Sequence, residues 1–233
     1  MGNSCAPRPS TNDTHSNAHV APKPILGVDP HAEALSCHLM TEPAWTQIVV
    51  PIRSFGSGKS RLSALLSPTQ RRVLSISLAA KVIQQAQGCQ GAAVAVLSRD
   101  EEVAQWCESE GVHCLVPPIE GLNQAAAHGF EFAGAAGAER FLCVHSDLAD
   151  PCGLAELLSE EAGSFLVPDH LGLGTNVLAI ETTHQFTFHY GPDSRRLHCE
   201  QALKNGFSLR EIHHGGLAND IDSPEDYQRY IEG

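Results

Sequence analysis

Arg53, Lys59 and Arg61 lie on one short stretch of the chain, interleaved with Gly56 and Gly58. Glycines allow close backbone approach and cations meet an anion, so a loop of this composition suits phosphate. Gly58-Lys59-Ser60 matches the last three positions of a P-loop. That pattern also needs a glycine where Arg53 stands, and a helix directly at Lys59-Ser60. Neither is met, which points to a phosphate-binding loop of another kind. Asp147 follows a strand signal at residues 140–145, apolar from Phe141 to Val144, where a carboxylate either caps the next helix or binds a metal. Asp220 and Asp222 flank Ile221, so in extended backbone they point the same way. Glu225 and Asp226 have another explanation as first-turn acids of a helix capped by Ser223, with Pro224 at its first position. Two carboxylates near a third suit Mg²⁺, which accepts few carboxylates and completes its shell with phosphate oxygens. Gly172 to Asn176 and Gly191 to Ser194 are loops with small residues, hydroxyls and free N–H groups. Ser194 opens a helix, whose dipole favours an anion. Together these residues describe a site for two phosphorylated substrates and Mg²⁺.

Alternating strand and helix signals from Thr46 onward must position this set. Strands are expected at 46–52, 92–98, 112–116 and 140–145, then near 164–168, 177–181 and 207–212. Helices are expected from Pro68 to about Gln87, from Asp100 to Glu110, from Asn123 to Ala136, near 194–205 and from Pro224. Apolar strands separated by helices mean an α/β fold, a mostly parallel sheet with helices on both faces. Ligands in such sheets sit at the carboxyl ends of the strands. By that rule residues 53–61, Asp100 and Asp147 face one rim.

The 233 residues are 42 % hydrophobic and carry a formal net charge of −12. The length suits one globular domain, and the acidic balance argues against nucleic acid as a partner. Residues 1–44 hold many prolines and polar residues with no sustained period, and read as a flexible extension. Residues 45–233 read as a single domain. No apolar run reaches the length needed to span a membrane. None of the 8 cysteines forms a Cys-x-x-Cys pair, and with no signal sequence the expected compartment is the reducing cytoplasm. The start Met1 to Cys5 falls short of an acylation signal, because Ala6 stands where Ser or Thr is needed.

The ordered set Pro51-Ile52-Arg53, Lys59-Ser60-Arg61-Leu62, Gly121-Leu122-Asn123, Ser146-Asp147-Leu148, Gly174-Thr175-Asn176, Gly191-x-x-Ser194 with His198, and Asp220 to Asp226 resembles the CofC/FbiD guanylyltransferases. The resemblance runs from about residue 47 to the end. It implies a Rossmann-like, single-domain nucleotidyltransferase fold related to sugar-phosphate nucleotidyltransferases. The implied activity is transfer of GMP from GTP to 2-phospho-L-lactate, phosphoenolpyruvate or 3-phospho-D-glycerate, with release of pyrophosphate, in coenzyme F420 biosynthesis. By position, the resemblance makes Asp147, Asp220 and Asp222 the Mg²⁺ ligands. Thr175, Gly191 and Ser194, with Arg53, would bind substrate; Lys59, Arg61 and Asp147 would be the catalytic set. The chain departs from the family where Arg53 replaces a usual Lys and Ala149 a usual Pro. Two rivals stay open: another nucleotidyltransferase of the same fold, and a non-catalytic nucleotide-binding regulator. A homodimer also stays open.

Overall fold

A computed structural model describes residues 44–232. Expectations for residues 1–43, including the extension and the acylation signal, lie outside the described residues. The strands are β1 (Thr46–Pro51), β2 (Ala92–Leu97), β3 (His113–Leu115), β4 (Arg140–Val144), β5 (Phe165–Pro168), β6 (Thr175–Glu181) and β7 (Arg210–Glu211). The helices are α1 (Pro68–Gln87), α2 (Glu101–Ser109), α3 (Leu122–Ala135), α4 (Leu154–Glu160), α5 (Ser194–Lys204) and α6 (Pro224–Glu232). A short 3₁₀ turn covers Ser60–Ala64.

The seven strands form one sheet in the order β3-β2-β1-β4-β6-β5-β7. The pairings β1–β2, β1–β4, β2–β3 and β5–β7 are parallel. Strand β6 runs antiparallel to β4 and to β5. The chain winds from β1 out to β3 and then returns to the other side of β1 as β4. That reversal leaves a crevice at the carboxyl ends of β1 and β4, where such sheets take ligands.

Alternating side chains of each strand serve opposite faces. Ile48 and Val50 of β1 pack with Val82 and Ile83 of α1, Val103 of α2 and Leu154 of α4. Val49 of β1 packs on the other face with Ala125, Ala126 and Ala133 of α3. The alanines and Gly129 let α3 lie close on the sheet: a Cβ at Gly129 would sit 3.0 Å from Leu97 and 3.2 Å from Phe141. Helix α1 begins where Ser67 and Gln70 cap each other's backbone N–H, with Pro68 at the first position.

Three elements differ from the sequence reading. Helix α4 was not expected; its seven residues form between Gly153 and Gly163, too short for a clear 3.6-residue period. The expected strand at 207–212 shrinks to Arg210–Glu211, because Phe207 and Leu209 turn into the apolar layer under α3. Strand β6 begins at Thr175, so Thr175 and Asn176 are buried strand residues and not loop residues.

Candidate functional site

A cleft of about 990 Å³ opens at the carboxyl ends of β1, β2 and β4. Its lining includes Arg53, Asp100, Glu120, His145, Asp147 and Asp222. The cationic loop is anchored beside it by Phe55, which is 1 % exposed and meets Trp106 of α2 edge-on at 5.2 Å. Arg53 stands exposed at the mouth, and its guanidinium donates to Glu120 at 3.0 Å.

The acids are brought together by an antiparallel bridge between Leu148 and Asp220. The Ala149 N–H donates to Asn219 at 2.7 Å, and the Ile221 N–H donates to the Asp147 carbonyl at 3.1 Å. Ala149, where the resemblance leads one to expect proline, thus supplies an N–H that proline lacks. Ile221 is buried in a small core with Leu62, Leu66, Leu74 and Leu78. One apolar cluster therefore fixes both the 3₁₀ turn after Lys59 and the strand-like segment bearing Asp220 and Asp222.

Lys59 reaches into this group. Its Nζ donates to the Ile221 carbonyl at 2.5 Å and to Asp147 Oδ2 at 3.2 Å, and lies 3.8 Å from Asp222 Oδ1. Burial raises the Asp147 pKa, but the Lys59 ammonium and then His145 outweigh it and hold the carboxyl below its ordinary value. Asp220 and Asp222 are both pushed up, first by burial and then by the Asp147 charge. Asn176 Nδ2 steadies Asp220 by donating to its Oδ1 at 3.2 Å, and to the Leu217 carbonyl at 3.1 Å. Among the described residues no three His, Cys, Asp or Glu side chains are already gathered tightly enough to hold a metal. The donors on offer are carboxylate oxygens, the chemistry Mg²⁺ prefers, and Mg²⁺ needs only one or two of them alongside phosphate oxygens. The residues fit the ion on that basis. Arg61 is exposed, and its charge acts to lower the Asp222 pKa.

Thr175, Ser194 and His198 form a second group, which is buried. Ser194 Oγ and Thr175 Oγ1 are 3.3 Å apart, and His198 Nδ1 lies 3.1 Å from Thr175 Oγ1. The His189 N–H donates to His198 Nε2 at 3.0 Å, so the neutral ring must carry its proton on Nδ1 and donate it to Thr175. Burial, then His189 and His145, push the His198 pKa down to about 3. Gly191, at φ 124°, makes a turn that L side chains rarely adopt. The Arg195 N–H donates to the Leu173 carbonyl at 3.1 Å, tying the loop before β6 to the start of α5. Thr175, Gly191 and Ser194 lie outside the lining of the main cleft. One contact joins the groups, since Asn176 follows Thr175 and holds Asp220; Asn123 of α3 exchanges two hydrogen bonds with the Tyr190 backbone, at 2.5 and 3.2 Å, and ties α3 to the segment before Gly191.

Sequence reasoning assigned no role to Asn123, Asn176, His145 or His198. His198 had a readable signal: it lies four residues after Ser194 on one helix face. His145 had none. Its Nε2 is buried without a hydrogen-bond partner at the edge of the cleft.

Comparison with known proteins fits this geometry. Residues 46–231 match the family model described as guanylyl transferase CofC like. A phosphoenolpyruvate guanylyltransferase of Sphaerobacter thermophilus is 35 % identical over 188 residues, covering 78 % of this chain and 91 % of the relative. Its counterpart in Rubrobacter xylanophilus is 32 % identical over 186 residues, again covering 78 % and 91 %. In fold, the chain is similar to a nucleotidyl transferase from Methanothermobacter thermautotroptrophicus, with a TM-score of 0.57 at 17 % identity, covering 81 % of this chain and 98 % of that one. With the family model spanning almost all of the described residues, the chain belongs to the CofC-like guanylyl transferase family and is a nucleotidyltransferase.

Proposed function

We propose that this chain transfers GMP from GTP to a three-carbon phosphorylated acid and releases pyrophosphate, as a step in coenzyme F420 biosynthesis. Phosphoenolpyruvate is the first candidate acid, because both relatives named above carry that name; 2-phospho-L-lactate and 3-phospho-D-glycerate are the others. The observation that carries this reading is the Leu148–Asp220 bridge. It sets Asp147, Asp220 and Asp222 beside a cationic loop at the rim of the sheet.

Asp147, Asp220 and Asp222 would hold Mg²⁺, which supplies charge neutralisation between the two phosphate-bearing reactants when bound. Lys59 and Arg61 would stabilise charge on the triphosphate, and Arg53 would meet phosphate at the mouth. Thr175, Gly191 and Ser194 would bind the acid. The Ser194 N–H is taken by the Gly191 carbonyl at 3.2 Å, so Ser194 and Thr175 would act through their hydroxyls, with the neutral His198 fixing that of Thr175. The acceptor phosphate is already anionic at neutral pH. It attacks the α-phosphorus in line, a new P–O bond forms, and the bond to pyrophosphate breaks with its electrons leaving on pyrophosphate. No general base is required, so the rate rests on positioning and charge. The six cysteines among the described residues are all unpaired, which supports work in the reducing cytoplasm.

The test is to offer GTP and Mg²⁺ with each of the three acids, then follow pyrophosphate and the GDP-linked product by mass spectrometry. One acid should give stoichiometric adduct. Turnover with CTP or ATP but not GTP would favour another nucleotidyltransferase activity. Binding without any product would favour the regulator.

A further inference from the structure

Of the three cations on the phosphate loop, Arg53 and Arg61 are exposed, whereas the Lys59 side chain is only 5 % exposed. Lys59 also has φ 56°, the left-handed region that residues other than glycine rarely occupy. Its ammonium has three donors, and the structure engages them inward. One meets the Ile221 carbonyl at 2.5 Å and another Asp147 at 3.2 Å, with Asp222 at 3.8 Å. The cleft lining includes Asp147 and Asp222 but not Lys59. Without Lys59, three nearby carboxylates would share this rim with no buried counter-charge. The Asp147 and Asp222 side chains are 27 % and 50 % exposed, so solvent screens their mutual repulsion only in part.

A divalent cation on Asp147 and Asp222 would occupy the region where this ammonium now lies. Like charges a few ångström apart repel strongly in a partly desolvated site. We infer that Lys59 is the resident counter-ion of Asp147 and Asp222, and that the divalent cation displaces it, freeing the ammonium for the triphosphate. This rests on the metal role of the acids in the function proposed above. It adds a coupling to it. The bare ion must compete with Lys59, whereas the ion arriving with a triphosphate brings the displaced ammonium a new partner. Metal and nucleotide therefore bind cooperatively, and metal alone binds weakly.

The probe is Mn²⁺ without nucleotide, measured by electron paramagnetic resonance on the full chain. Lys59→Gln should bind Mn²⁺ roughly tenfold or more tighter than the unaltered protein. Its melting temperature should fall without metal and recover with Mn²⁺. Equal or weaker Mn²⁺ binding by Lys59→Gln overturns the inference. So does tighter binding that survives in Lys59→Gln/Asp147→Asn, because the gain then arises elsewhere. A second measurement needs no variant: reductive methylation of Lys59, read by peptide mass spectrometry. Labelling should be slow in the metal-free protein and several-fold faster in saturating Mn²⁺; an unchanged rate overturns the inference even if Lys59→Gln does not fold. The transfer assay on the unaltered protein judges the function separately. A chain that makes the GDP-linked acid while Lys59 stays protected loses only the exchange. A chain that shows the exchange but makes no adduct loses only the transfer reading.

Discussion

Asp147 combines burial with the charge of a lysine ammonium, and substitution there separates the two. Asp147→Asn keeps the shape and removes the charge. GTP turnover should fall by about a hundredfold or more while circular dichroism stays unchanged. Near-normal pyrophosphate release from the folded variant would remove Asp147 from the proposed metal site. Ser194→Ala should raise the KM for the acid more than the KM for GTP; equal changes would move Ser194 out of the acid site. His198 carries a pH prediction. Its pKa is about 3 in the fold, against about 6.5 for an unperturbed histidine. Between those values the unfolded chain binds a proton that the folded chain refuses, so stability rises with pH across the window. Its contribution is present above about pH 6.5 and is lost as pH falls toward 3, with a slope approaching about 1.4 kcal/mol per unit. Urea melts of His198→Gln at pH 4.5 and 7 should show a smaller difference than those of the unaltered protein. An equal difference would mean that His198 is not the group responsible.

At the level of elements, the Leu148–Asp220 bridge and the cluster around Ile221 set the acids. Ile221 is 1 % exposed. Ile221→Ala should cost about 2–5 kcal/mol in urea unfolding and also raise the Mg²⁺ concentration giving half-maximal turnover. A stability loss with an unchanged metal requirement would show that the acids hold their places without this cluster. The strands and long helices that carry the loops were legible because their signals are local. Ser67-Pro68 announces α1, Gly111 closes α2, and the unbroken apolar run of β4 shows a strand covered on both faces. The bridge was not legible, since it joins residues some seventy positions apart through backbone groups that carry no sequence signature. The reversal of β6 was hidden for a related reason: an apolar run reads the same in either direction. The inward turn of Lys59 depends on a backbone conformation that the sequence itself argues against.

On the scale of the whole molecule, residues 46–231 match the family and the described fold covers both faces of its sheet. A chain beginning at residue 44 should therefore keep its melting temperature within a few degrees and retain GTP turnover. A large loss in either would assign the first 43 residues a part in folding or in the site. No helix among the described residues is long and apolar enough to cross a membrane.

Strand β6 runs against β4, with Val177 opposite Val144 and the His145 N–H donating to the Asn176 carbonyl at 3.0 Å. A parallel neighbour would have placed Thr175 at the far end of the sheet from Asp147. The reversal instead brings the start of one strand beside the end of the other, so that Thr175 and Asp147 lie toward the same rim. Under the proposed function, the pairing would set the distance between the two reactants. Under the same reading, the 169–174 loop would be able to change length or composition, and with it the choice of acid, without shifting the carboxylates. Substrate preference would then diverge while the proposed chemistry at the α-phosphate stays in place.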